Sequence, residues 1–190
     1  MKKIGIFGGL FDPPHIGHLL TALDALTELS LDEIWFLVSF NPPHRNENAS
    51  FEERFHMVEL SIKNFDKFKA IDLEKKLNLE KSFSLIVIKE IKKRYKENEF
   101  WFLIGSDQFI KFSTWYKPEE ILKEVKIAVL KRKTEDFSNL PFSKEVRFLN
   151  NRCIEVSSSE IRKRIKEGKE IKFFVRDEVE KYIREKGIYK

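Results

Sequence analysis

Two histidines three positions apart, His15 and His18, follow a glycine pair, Gly8 and Gly9, in the segment GGLFDPPHIGH near the N-terminus. At the start of a helix, residues three apart share one face. Glycines allow backbone angles and a close approach that a side chain forbids. Gly17, between the histidines, removes bulk where a ligand could come near. A helix N-terminus adds amide donors and a partial positive charge. Two imidazoles on such an end suit a polyphosphate. The pattern is not a P-loop, which needs Lys-Ser/Thr after its glycines. A plainer reading is a glycine turn with two capping histidines. Zinc is a poor fit, because the other histidines are His44 and His56 and the one cysteine is Cys153. A tetrahedral set is hard to assemble from those.

Four other segments could do chemistry with that loop. NPPHR, from Asn41 to Arg45, places the cations His44 and Arg45 on a proline-stiffened loop, compatible with phosphate or with plain exposure. Ser82, Phe83 and Ser84 open a helical stretch, whose free N-terminus can meet a carboxylate or simply carry a serine cap. Gly105 ends the apolar run FWFLIG, so Asp107 sits just past a buried strand, where a carboxylate needs a partner. Trp115 can stack on a flat, electron-poor ring, although in a chain with 13% aromatic residues Trp115 and Tyr116 also suit a core. Ser157, Ser158 and Ser159 offer hydroxyls and amides at a helix start. Arg162 lies one turn on, on the face of Ser158 and Ser159.

The elements that must position these residues alternate. Short β-branched or apolar runs predict strands over 2–7, 33–39 and 100–105, with further strands in FKAIDL, VKIAVLK and VRFLN. Apolar residues at helical spacing predict helices over 16–29, 84–95 and 176–186. Ser50 with Glu53, and Ser157 with Glu160, have the spacing of capping boxes. Pro118 suits the first turn of a short helix, and Gly168 and Gly187 suit helix ends. Alternating β and α units imply a doubly wound, mostly parallel α/β sheet with helices on both faces. Ligands in such folds sit beyond the carboxyl ends of strands, near the switch in strand order. The loops after Phe7, Ser39, Gly105 and Val156 are therefore the places for chemistry. No Pro/Gly/Ser linker divides residues 1–190, so one domain is expected, with a C-terminal helical part from about 157.

Hydrophobic residues make up 42% and charged residues 35% of the 190, which excludes a disordered chain. There is no apolar run long enough for a membrane span and no secretory leader pattern. With a single cysteine, a reducing cytoplasmic setting is expected. The net charge of +5 comes from 36 cations interleaved with 31 anions. A phosphorylated small-molecule partner, a nucleic acid and a merely solvated surface all fit that charge. No basic-aromatic ladder of the kind that binds nucleic acid is present.

The loop GGLFDPPHIGH resembles the HxGH signature of the nucleotidyltransferase superfamily. EVSSSEIRKRI resembles its second signature, Ile-Ser-Ser/Ala-Thr-x-x-Arg, with Val156 for Ile and Ser159 for Thr. More narrowly, with NPPHR, SFSLIVIKEI and GSDQFIKFSTWY added, the chain is similar to bacterial nicotinate-nucleotide adenylyltransferases almost end to end. Leu10 stands where that family usually has Thr, Phe83 where it has Tyr and Ser84 where it has Thr. The resemblance implies a Rossmann-like fold and adenylyl transfer from ATP to nicotinate mononucleotide, with Mg2+ on the ATP. It implies catalytic His15, His18 and Arg162. It implies ATP contacts from Gly8, Gly9, His15, His18, Gly105, Asp107, Ser158, Ser159 and Arg162. It implies acceptor contacts from Phe11, Asn41, His44, Arg45, Ser84, Trp115 and Tyr116. No dedicated protein metal ligand is expected, although Asp12 and Asp107 are available; nucleic acid and membrane are not expected as partners, and a homo-oligomer is left open. Related readings are an enzyme of the same superfamily acting on the nicotinamide nucleotide or on phosphopantetheine, or a non-catalytic nucleic-acid binder.

Overall fold

The computed structural model describes residues 1–42, 47–131, 137 and 139–190. Its strands are β1 (Lys3–Gly9), β2 (Glu33–Val38), β3 (Phe68–Ile71), β4 (Glu99–Gly105), β5 (Lys126–Leu130) and β6 (Arg147–Phe148). All pair in parallel, in the order β3-β2-β1-β4-β5-β6. The order reverses between β1 and β4, which opens a crevice at their carboxyl ends.

The helices are α1 (Ile16–Glu28), α2 (Phe51–Ile62), α3 (Leu73–Leu77), α4 (Ser84–Arg94), α5 (Ser106–Phe109), α6 (Pro118–Glu124), α7 (Ser158–Lys166) and α8 (Asp177–Lys186). Both faces of the sheet are covered. On one, Ala22, Ala25 and Leu26 of α1 and Val58 and Ile62 of α2 pack on Ile34, Phe36 and Val38. On the other, Val87, Ile88 and Ile91 of α4 and Ile121 of α6 pack on Ile4, Phe102 and Ile127. A third cluster joins α2 to the C-terminal helices through Met57, Ile161, Val179 and Ile183.

The local signals act as their chemistry requires. Ser50 and Glu53 form a reciprocal capping box on α2. Ser157 caps α7 by accepting the Glu160 N–H at 3.2 Å, one half of the box that the spacing predicts. Gly187 closes α8 at φ 66°. The strand expected in VRFLN shrinks to Arg147–Phe148 at the sheet edge, where one neighbour leaves little pairing to extend it.

Candidate active site

A cavity of about 750 Å3 opens at the switch point. It is lined by the loop after β1, by Ser39 and Pro42 after β2, by Gly105, Asp107 and Gln108 after β4, and by the serines that start α7. That volume lies in the range of small-molecule sites.

The first loop places the histidines. His15 is the N-cap of α1, and its N–H donates to Nδ1 of His18 at 3.2 Å. An Nδ1 that accepts puts the ring proton of neutral His18 on Nε2, which is then a donor. The two imidazoles stack with centroids 3.6 Å apart. Gly17 makes this stack possible: a Cβ there would lie 3.0 Å from Nδ1 of His15. The sequence suggested that Gly17 makes room for a ligand; the room is taken by the His15 ring. Gly9 likewise makes room for Phe11, whose ring would meet an added Cβ at 3.0 Å. A Cβ on Gly8, by contrast, would meet nothing nearer than 3.7 Å. Phe11 has φ 52° and is buried, with its ring edge-on to His18 at 5.1 Å. It lines the cavity beside the imidazole.

The α7 end meets the same loop. Ser158 Oγ donates to the Pro13 carbonyl at 2.8 Å, and Arg162 Nη1 donates to the Asp12 carbonyl at 2.7 Å. Ser159 Oγ lies 3.1 Å from Ser157 Oγ. All four line the cavity with His15 and His18. Two helix N-termini, α1 and α7, thus share one wall although about 140 residues separate them.

The other end of the cavity is aromatic and amide-rich. Trp115 packs on Phe112 at 5.4 Å and on Phe102 at 6.2 Å, still presenting part of its ring to the cavity. Tyr116 is 46% exposed and pairs with Phe83 at 4.9 Å. Phe83, not a serine, is the N-cap of α4, and Ser84 is its first helical residue. The first amides of α4 lack intrahelical acceptors, as in any helix. Gly105 caps α5, and Asp107 Oδ2 accepts from Gln108 Nε2 at 2.9 Å. Asn41 is not among the lining residues; its amide donates to the Leu79 carbonyl, and its carbonyl accepts the Ser82 N–H, both at 3.0 Å. It holds the 79–82 segment in place. His44 and Arg45 lie outside the described residues.

Four residues in or beside the site, Asp12, Arg54, Glu74 and Tyr189, were assigned no contact by the sequence reading. Asp12, counted there as available to a metal, is committed elsewhere. Its Oδ2 accepts from Asn48 N (2.7 Å) and Asn48 Nδ2 (3.1 Å); its Oδ1 accepts from Ala49 N (3.2 Å) and Tyr189 Oη (2.6 Å). Burial, then the charge of Asp12, pushes the Tyr189 phenol above its ordinary range, so it stays a donor. Arg54, 1% exposed, donates to the carbonyls of Leu10 (3.0 Å), Ser39 (2.8 Å) and Ala49 (3.2 Å). It ties the loops after β1 and β2 to the start of α2. Glu74 lines the cavity, and its Oε2 accepts the Phe40 N–H at 2.9 Å. Burial pushes its carboxyl up to about 7, against the pull of that N–H, the Ser82 hydroxyl and Arg54. Arg54 left a trace in the sequence: it falls on the face of α2 that Phe51, Met57 and Val58 bury.

Among the described residues no group of three or more His, Cys, Asp or Glu side chains could hold a metal. Among the same residues no helix is long and apolar enough to cross a membrane.

The Cytidylyltransferase-like family model matches residues 6–164. The nicotinate-nucleotide adenylyltransferase of Bacillus subtilis is 38% identical over 195 residues, covering 100% of this chain and 99% of that protein. A chain of Shouchella clausii named "probable nicotinate-nucleotide adenylyltransferase" is 37% identical, covering 100% and 97%. This chain belongs to the nicotinate-nucleotide adenylyltransferase family. A Plasmodium falciparum nicotinic acid mononucleotide adenylyltransferase, solved with NaAD, has the same fold at TM-score 0.81 and 23% identity, over 100% of this chain and 98% of that one. The family's parallel sheet and its Rossmann-like winding are those described above.

Proposed function

We propose that residues 1–190 work as one cytoplasmic nucleotidyltransferase domain that transfers the adenylyl group of ATP to nicotinate mononucleotide, a step of NAD biosynthesis. The products are nicotinate adenine dinucleotide and pyrophosphate. One observation carries this reading. The stacked His15–His18 pair at the start of α1 and the Ser158–Arg162 turn at the start of α7 face one cavity, whose far end holds Trp115 and the first turn of α4.

In the reaction an oxygen of the mononucleotide phosphate bonds to the α-phosphorus of ATP. The bond from that phosphorus to the bridging oxygen breaks, and pyrophosphate leaves with the electron pair. The attacking group is already an anion, so the protein need supply no nucleophile or strong base. Catalysis is then positioning and stabilisation of charge. Gly8 and Gly9 let the phosphates come close to the backbone. Nε2–H of His18 donates to the oxygens around the α-phosphorus, with His15 stacked behind it. Ser158, Ser159 and Arg162 hold the leaving pyrophosphate. Gly105 and Asp107 take the adenosine end. Trp115, Tyr116 and Ser84 take the pyridine end. Magnesium supplies charge neutralisation on the triphosphate when bound. The test is to incubate the protein with ATP and magnesium and one acceptor at a time, then measure pyrophosphate and dinucleotide. Nicotinate mononucleotide should give both; pyrophosphate released only with phosphopantetheine would overturn the assignment.

A further inference from the structure

Asp12 is where three distant parts of the chain meet. Its carboxylate takes both N–H groups of Asn48 and the N–H of Ala49 from the loop before α2, and the hydroxyl of Tyr189 from beyond α8. Its carbonyl takes Arg162 from α7. The next residue, Pro13, takes Ser158, and Ile16 N–H donates to the Phe174 carbonyl at 2.8 Å. So the segment from 158 onward grips the chain between Phe11 and Ile16 at four points, and His15 lies inside that stretch. Three of the four are made by backbone or by residues at the cavity wall. The fourth, Tyr189, is 7% exposed, does not itself line the cavity, and belongs to the apolar cluster that includes Ile183 and Ile188.

We propose that Tyr189 is a positioning residue for adenylyl transfer: its hydroxyl, through Asp12, fixes the loop that presents His15 and His18 and receives Arg162. The inference rests on the functional reading above. A buried carboxylate that loses a donor moves to find another. Moving Asp12 moves the carbonyl that holds Arg162 and, two prolines later, the cap of α1. Misplacement of about 1 Å at a reacting centre can lower rate by roughly a hundredfold. The effect should fall on the triphosphate, because Tyr189 acts on the α1 and α7 wall and not on the Trp115 end.

The test compares wild type, Tyr189→Phe and Ile127→Ala. Ile127→Ala removes packing from the core on the other face of the sheet, in a different cluster from Tyr189 and outside the cavity lining. Three readouts are taken: melting temperature, kcat with KM for each substrate, and ATP–magnesium affinity by calorimetry without acceptor. Tyr189→Phe should lower kcat/KM for ATP by roughly ten- to a hundredfold and weaken ATP affinity, while KM for the mononucleotide stays within about twofold. Ile127→Ala should lower the melting temperature at least as far, with kcat near wild type. Tyr189→Phe with ATP parameters near wild type overturns the proposal. So does an Ile127→Ala variant that loses kcat in step with stability, which would make the effect of Tyr189 one of stability only. If wild type binds ATP but makes no dinucleotide, the functional reading fails, and the calorimetric comparison alone decides Tyr189. If wild type binds no ATP, both fall.

Discussion

The tautomer of His18 decides what the proposed reaction can ask of it. The His15 N–H reaches Nδ1 at 3.2 Å, so in the neutral ring Nε2 is the donor. His18→Ala removes that donor from charge that grows in the transition state, and losing one such donor lowers turnover by ~10²–10³. The variant also loses an acceptor at the α1 N-terminus, a capping-type loss of ~1 kcal/mol, or a few degrees of melting. Steady-state kinetics beside a thermal melt check this; turnover near wild type, or a chain that does not fold, would make the imidazole structural. The histidines were legible in the sequence because local spacing defines them: three residues and a helix start. Tyr189 was not, because its partner Asp12 lies 177 positions away and nothing in the neighbourhood of either residue points to the other. Glu74 was opaque for a related reason. A glutamate among lysines in LEKKL reads as solvated surface, and only the fold buries it against Phe40.

Three helix starts, those of α1, α4 and α7, line the cavity, and on the proposed reading the one at α4 bears on the choice of acceptor. Its N-cap, Phe83, is extended at φ −77° and ψ 132°, and Ser82, Phe83 and Ser84 all line the cavity. Amides at a helix start donate and carry partial positive charge. A nicotinate carboxylate accepts from them; a nicotinamide group sets its own N–H donors against them. Mismatched polar groups cost ~1–3 kcal/mol each, roughly ten- to a hundredfold in efficiency. Catalytic efficiency measured with both mononucleotides under identical magnesium should therefore favour the acid clearly, and equal efficiencies would show that this turn does not read the carboxylate. Phe83 pairs with Tyr116 instead of capping with a hydroxyl, so the backbone and not a side chain supplies the donors. Most elements were readable because β-branched runs and 3.6-residue periodicity survive over their length. The five-residue α3 and four-residue α5 were not, being too short to show a period. Their place depends on what the preceding strand leaves to be covered.

At the scale of the whole molecule, two buried carboxyls tilt stability with pH in opposite directions. Glu33, at the start of β2, is driven up by burial but drawn down further by Lys2, Trp35 Nε1 and Lys69, to about 2. Its folded value lies below the unfolded one, so its contribution is present above the ordinary carboxylate range and is lost as pH falls towards 2. Glu74 is the reverse. Burial raises it to about 7 from an ordinary value of 4.5. Between those values the folded chain holds a proton that the unfolded chain has released, so stability falls as pH rises through that window. A shift of that size is worth up to ~3 kcal/mol, and relaxation of the cavity wall brings the expected figure nearer ~2. Glu74→Gln keeps an oxygen for the Phe40 N–H at the same reach but cannot ionise. Urea unfolding at a series of pH values should show the variant close to wild type near pH 5 and more stable by ~1–3 kcal/mol at pH 8, with the gap opening through pH 6 and 7. A constant difference across the series, or a variant destabilised at pH 8, would mean that the Glu74 carboxyl ionises in the folded chain as readily as in the unfolded one. Below that window the protonated carboxyl adds no negative charge to the cavity wall, and the charge appears as the pH rises through about 7.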